Sequence, residues 1–186
     1  MIRFLLVTLV ITLAAGPAAA QAPAARPPAK PPATAPMVMI TMEKGGEIVL
    51  ELFPQDAPGH VANFVKLVEQ KFYDGQRVHR VEPNFVVQFG DPQSRTLPLD
   101  DPRMGTGGPG YTIKAEFNKR PFERGVLGMA RTSDPDSAGS QVYIMLGAAP
   151  FLNGQYTAFG RVATGMGVVD QIRVGDRIKS IKVITK

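Results

Sequence analysis

Residues 78–91 read Val-His-Arg-Val-Glu-Pro-Asn-Phe-Val-Val-Gln-Phe-Gly-Asp. One cation, Arg80, stands eight positions before a neutral hydrogen-bonding group, Gln88, with the apolar run Phe85, Val86 and Val87 between them. The stretch holds no nucleophile and no evident acid–base pair. A permanently charged donor, an amide and apolar walls suit a reaction in which no covalent bond is made or broken. Rotation about the peptide bond that precedes a proline is one such reaction.

For these groups to act together, Pro83-Asn84 must form a turn that folds Phe85 to Gln88 back beside Arg80. In strand geometry Phe85 and Val87 then share one face, and Val86 and Gln88 the other. The result is a mixed polar and apolar pocket for a peptide. Rival chemistries find less support. His60 and His79 are the two histidines, and their separation matches no metal-ligand spacing. His79, in a strand, reads as a satisfied structural group. No Gly-x-Ser-x-Gly elbow is present, and the absence of cysteine removes thiol chemistry and cysteine-based metal sites. Gly105 to Gly110 looks superficially like a phosphate loop, but it lacks the Lys-Ser/Thr pair, so its glycines read as tight turns. Met129, Met145 and Met166 read as core filler. No metal and no cofactor is expected.

The elements that position this stretch are legible from periodicity. Val38, Ile40 and Met42, then Ile48, Leu50 and Leu52, alternate around Gly45-Gly46, which predicts a hairpin. Asp56 is expected to cap a helix with Pro58 in its first turn and Val61, Phe64, Val65 and Val68 on its buried face. Short apolar runs follow at Val78 to Val81, Phe85 to Phe89, Gly125 to Ala130, Gln141 to Leu146 and Thr157 to Val162. A second helix is expected over Met166 to Ile172 and a closing strand over Lys179 to Thr185. Gln93 to Tyr111 lacks periodicity and reads as a long surface loop of the kind that often carries function. The reading is mostly β: many short strands with two helices point to a closed antiparallel barrel, whose closure removes exposed edges.

Residues 1–20 read as a secretory signal: Arg3, an apolar run from Phe4 to Leu13, and an A-x-A site at Ala18-Ala19-Ala20. The apolar run is about half the roughly 20 residues of a membrane-spanning helix, so no stable membrane insertion is expected after cleavage. Residues 21–36 are an Ala/Pro-rich spacer. Residues 37–186 make one domain, large enough to stand without disulfides in an oxidising compartment. The formal charge is +5, with the basic residues scattered and many beside acids, so no nucleic-acid partner is expected.

Over residues 38–184 the chain resembles the cyclophilin family of peptidyl-prolyl isomerases. The resemblance rests on Val78-His79-Arg80-Val81, Pro83-Asn84-Phe85-Val86-Val87-Gln88, Gly90-Asp91, Gly105-Thr106-Gly107-Gly108, Gly125 to Ala130, Gly139 to Ile144, Phe151-Leu152-Asn153-Gly154 and Phe159-Gly160-Arg161-Val162. It implies a closed eight-stranded antiparallel barrel capped by two α-helices, in agreement with the element order, and that Arg80 is the catalytic arginine and Gln88 hydrogen-bonds the substrate backbone. It implies a proline pocket lined by Phe85, Val86, Tyr143 and Leu152, main-chain peptide contacts at Ala130 and Arg131, and a neighbouring groove bordered by Thr132, Gln141 and Gly105. The chain departs from the common family pattern at Val86 (methionine), Tyr143 (phenylalanine), Phe151 (tryptophan), Tyr156 (histidine, at the pocket rim), Arg131 (asparagine) and Phe89 (glycine). Tyr143 thereby gains a hydroxyl that needs a partner. The loss of the tryptophan N–H at Phe151 implies weaker cyclosporin binding, and Phe89 should sit away from the groove.

The expected function is a monomeric periplasmic isomerase that acts on proline-containing unfolded or flexible polypeptides and assists their folding. The rival is a proline-binding chaperone or scaffold whose turnover is incidental.

Overall fold

The computed structural model describes residues 35–185. The expected signal, and the spacer up to residue 34, lie outside the described residues. Strand β1 (Met37–Met42) and strand β2 (Glu47–Leu52) form the expected hairpin, with alternate side chains buried. Its turn needs two consecutive residues at positive φ, 95° at Gly45 and 94° at Gly46, which glycine supplies without steric cost.

Helix α1 (Pro58–Glu69) buries Val61, Phe64, Leu67 and Val68, with Val65 partly covered. Its start differs from expectation. The N-cap residue is Ala57, and Asp56 makes no cap; its carboxylate instead pairs with Arg120 at 2.8 Å. The free N–H groups of the first turn are met from far along the chain. Glu116 accepts from Gly59 N at 2.9 Å, from His60 N at 2.8 Å, and bonds the His60 ring Nδ1 at 2.7 Å. One carboxylate thus does the work that a neighbouring Asp or Ser does in most helices.

The remaining strands are β3 (Arg80–Glu82), β4 (Val86–Phe89), β5 (Val126–Met129), β6 (Val142–Met145), β7 (Ala158–Thr164) and β8 (Ile178–Thr185), with helix α2 (Met166–Asp170) between the last two. All pairs are antiparallel, in the order β3-β4-β6-β5-β7-β2-β1-β8. The expected eight strands and two helices are present. Strand pairing leaves β3 and β8 as edges of a curled sheet. The segments leading into those edges meet through the bridge Arg77–Arg177 and through the bonds Val78 N to Asp176 O and Gly175 N to Val78 O, both 2.8 Å. The expected closure of the barrel is therefore not carried by a strand ladder.

Two shorter elements also differ from expectation. Val78 and His79 precede β3 instead of belonging to it, and α2 stops at Asp170. The long loop opens with a 3-10 turn, Pro92–Arg95, whose first N–H is capped by the Asp91 carboxylate.

The sheet separates two apolar clusters. The larger contains Val38, Leu50, Phe64, Val87, Leu127, Ile144 and Phe159. The smaller, Val86, Phe122, Tyr143, Met145, Ala149, Leu152 and Ala158, lies under the candidate site. Met129 and Met145 are buried, and Met166 packs against the larger cluster, as core filler should.

Candidate active site

Register builds the site. Arg80 pairs with Gln88 across β3 and β4, Gln88 with Tyr143 across β4 and β6, and Tyr143 with Gly128 across β6 and β5. These four residues make one row across the sheet, so the side chains of Arg80, Gln88 and Tyr143 emerge on one face. The next row, Val81, Val87, Ile144 and Leu127, points into the larger core. A slip of one residue in β4 would exchange the two sets, and the buried valine at position 87 forbids it.

Phe85 breaks the simple alternation. It lies just before β4, in a turn closed by its N–H to Glu82 O at 3.0 Å. Asn84 takes φ 60°, and with Pro83 ahead of it this is the residue pattern of a type II turn. Phe85 O then accepts from Leu146 N at 2.8 Å, which fixes the residue outside the strand's period. Its ring packs with the cluster under the site, beside Val86, and not with Val87 as strand geometry alone predicts.

These residues enclose a cavity of about 320 Å³. Phe85, Val86, Tyr143 and Leu152 give it apolar walls, with Arg80 and Gln88 on one side and Ala130, Arg131, Phe151 and Tyr156 around the rest. Arg80 Nη1 donates to Gln88 Oε1 at 3.2 Å, and its guanidinium carbon lies 5.7 Å from the Phe85 ring centre. Its Nε is 3.5 Å from Glu82 at the solvent side. Phe151 is 70% exposed and leans on Phe85 with 5.8 Å between ring centres. Arg131 brings more than main chain to the rim. Its guanidinium stacks 4.4 Å over Tyr156 and donates to the carbonyls of Gln155 (2.9 Å) and Thr132 (2.8 Å).

A second cavity of about 540 Å³ adjoins the first, sharing Gln88, Ala130 and Arg131. Gly105, Thr132 and Gln141 border it, so every sequence-derived site residue falls on one of the two cavities. Gln141 joins them: its Oε1 accepts from Gln88 Nε2 at 3.0 Å and its Nε2 donates to Gly105 O and Gly107 O, each at 2.8 Å. The amides that a phosphate would seek in this loop are occupied, since Gly105 N and Gly107 N donate to the Asp91 carboxylate.

Two expectations need correction. His79 is only weakly satisfied: neither buried ring nitrogen makes a well-formed hydrogen bond, although the Gln141 amide and the Asp91 carboxylate stand near the ring. Burial lowers its pKa, against the pull of the Asp91 carboxylate. The Tyr143 hydroxyl likewise finds no partner although the residue is only 5% exposed, and burial drives its pKa up. Its ring tip occupies the space that a Cβ at residue 128 would need, which requires Gly128. Sequence reading missed Gly128 and Asp91 as parts of the site. Glycine inside a strand was the available signal for the first; the Gly90-Asp91 block marked the second without giving it a role. Phe89 is buried against Tyr73 on the other face, as expected.

A pocket of apolar walls with guanidinium, amide and phenol groups on its rim, set on a curled antiparallel sheet, suits a class of enzyme that turns a peptide bond without cleaving it. The family model described as cyclophilin type peptidyl-prolyl cis-trans isomerase/CLD matches residues 37–185. A probable peptidyl-prolyl cis-trans isomerase of Brucella suis biovar 1 is 47% identical over 140 residues, covering 74% of this chain and 71% of its own. Peptidyl-prolyl cis-trans isomerase B of Bacillus subtilis is 44% identical over 144 residues, covering 76% of this chain and 94% of its own. Among solved structures, a cyclophilin type peptidyl-prolyl cis-trans isomerase of Cryptosporidium parvum has a TM-score of 0.71 at 25% identity, covering 82% of this chain and 99% of that one. The structure of that protein in the presence of the dipeptide Ala-Pro gives 0.70 at 26% identity, covering 81% and 99%. The chain belongs to the cyclophilin family and is a peptidyl-prolyl cis-trans isomerase.

Proposed function

We propose that this enzyme accelerates rotation of X–Pro bonds in exported polypeptides, with Arg80 as the group that stabilises the twisted state. The observation that carries the reading is the placement of Arg80: held by Gln88 and the Phe85 ring, at the edge of the cavity walled by Phe85, Val86, Tyr143 and Leu152. Amide resonance resists rotation with a barrier of about 18–20 kcal/mol. As the bond twists, resonance is lost and the proline nitrogen becomes pyramidal and basic. A guanidinium that donates to that nitrogen binds the twisted state better than the planar one, and this difference is catalysis.

Phe85, Val86, Tyr143 and Leu152 hold the proline ring while the preceding group turns. Gln88 and the main chain at Ala130 and Arg131 hold the peptide backbone. Phe151 and Tyr156 form the rim, and the cavity beside Gly105, Thr132 and Gln141 takes a neighbouring residue of the substrate. The relative's structure with Ala-Pro supports a proline-containing peptide as substrate. The signal-like residues 1–20 support a periplasmic site of action for a monomer that assists folding.

The test is cis-to-trans isomerisation of a short X–Pro peptide, wild type beside Arg80→Ala. The variant is expected to lose roughly 10²–10³ in kcat/KM, the scale of one electrostatic transition-state donor. Near-native rates in a folded variant sink the assignment. A folded wild type that binds the peptide without turning it over would instead mark a proline-binding scaffold.

A further inference from the structure

We infer that Asp91, which touches neither cavity, is a positioning residue that sets the orientation of the Arg80 donor through a chain of hydrogen bonds. Asp91 is fully buried, with 0% of its surface exposed. Its Oδ1 accepts from Gln93 N at 2.8 Å, and its Oδ2 from Gly105 N at 2.6 Å and Gly107 N at 3.3 Å. The loop approaches so closely that a Cβ on residue 107 would collide with the carboxylate, so glycine is required there. The carboxylate thereby pins the loop at residues 105 and 107, the two residues whose carbonyls make the next contacts.

Those carbonyls then determine the rest. Gly105 O and Gly107 O are acceptors only, so the Gln141 amide must present its Nε2 to them and its Oε1 away. Oε1 can only accept, so Gln88 must present Nε2 to it. That leaves Gln88 Oε1 toward Arg80, where it accepts from Nη1 at 3.2 Å. Neither glutamine can flip without setting donor against donor or acceptor against acceptor, each of which costs the pair its bond. The sequence runs one way, from a buried carboxylate through the glycine loop and two amides to the guanidinium. It holds Arg80, otherwise a partly exposed side chain, in one geometry before substrate arrives, which is where preorganised donors gain their effect.

This inference rests on the proposed role of Arg80, and a double-mutant cycle separates the two. Asp91→Asn puts an NH₂ where one of the loop N–H donors or Gln93 N needs an acceptor. Measured with Arg80 intact, it is expected to lower kcat about tenfold with KM within about twofold, within the range of coupling between members of one network. In an Arg80→Lys background, chosen because its rate stays measurable, the same change is expected to cost less than about twofold further. Equal losses in both backgrounds, or a wild-type kcat in folded Asp91→Asn, overturn the inference. Wild-type activity in Arg80→Lys sinks the Arg80 reading instead. Should Asp91→Asn fail to fold, Gln141→Glu enters the same cycle, since its carboxylate faces Gly105 O and Gly107 O. The same dependence on Arg80 is expected there, and its absence counts against the chain of bonds equally.

Discussion

Tyr143 carries a hydroxyl that its surroundings leave without a partner. The ring is held by Phe122 at 6.0 Å and Tyr156 at 6.2 Å between ring centres, and its tip rests over Gly128. A buried hydroxyl with no bond forfeits its hydration, a cost of about 1–3 kcal/mol. Tyr143→Phe is therefore expected to stabilise the fold by about 1 kcal/mol in urea denaturation, with kcat/KM within about twofold of wild type. A clear loss of stability would mean that the hydroxyl is bonded in solution. At this scale the sequence exposed Arg80, Phe85 and Gln88, because their types and spacing state a chemistry directly. Asp91 and Gly128 stayed hidden because each acquires its role from a partner on another element: the glycine loop for one, the Tyr143 ring for the other. Phe85 was placed on the wrong face because a turn residue does not obey the period of the strand it precedes.

Helix α1 shows why element boundaries are harder to read than elements. Its apolar spacing announced it, yet its cap comes from Glu116, 57 residues beyond Gly59. Burial of the Glu116 carboxyl opposes its ionisation, but the bonds from Gly59 N, His60 N and the His60 ring prevail and hold its pKa below the ordinary carboxylate range. Above that range Glu116 is ionised folded or unfolded, and its full contribution to stability is present. As pH falls below it, the unfolded chain takes up the proton first, and the contribution is lost through the folded pKa. His60 acts in the same direction from a higher pH. Burial lowers its pKa from 6.5, against the pull of Glu116, so acid favours the unfolded chain, where the ring is free to charge. The thermal midpoint is expected to fall as pH drops from neutral towards 4. Glu116→Gln should cost about 1 kcal/mol at pH 7 and flatten the acidic part of that curve. An unchanged pH slope in the variant would remove Glu116 from this account.

For the molecule as a whole, alternation and the glycine turns foretold many short antiparallel strands and two helices, because side-chain period is a local property, and the family resemblance supplied the number eight. How the edges meet is not local. The contact between the segments before β3 and β8 joins residues about a hundred positions apart, Arg77 and Arg177, and no spacing rule reaches that far. At this scale the testable statement concerns processing. In a bacterial host the mature protein is expected in the periplasmic fraction with Gln21 as its first residue, read by intact-mass spectrometry. A full-length mass in the cytoplasmic fraction would refute both the signal and the compartment.

Strand β1 is flanked by β2 on one side and by β8 on the other: Ile40 faces Ile48 in one register and Ile181 in the other. A ribosome delivers these neighbours at very different times. The first follows within a few residues, whereas the second comes about 140 residues later, from Ile40 to Ile181. Until β8 is made, then, the nascent chain carries an open pairing edge along β1, a place where other chains can add. Closing it is a long-range step, slow by the rule that distant contacts form late. Strand β8, which lines neither cavity, decides when this catalyst of folding has finished folding itself.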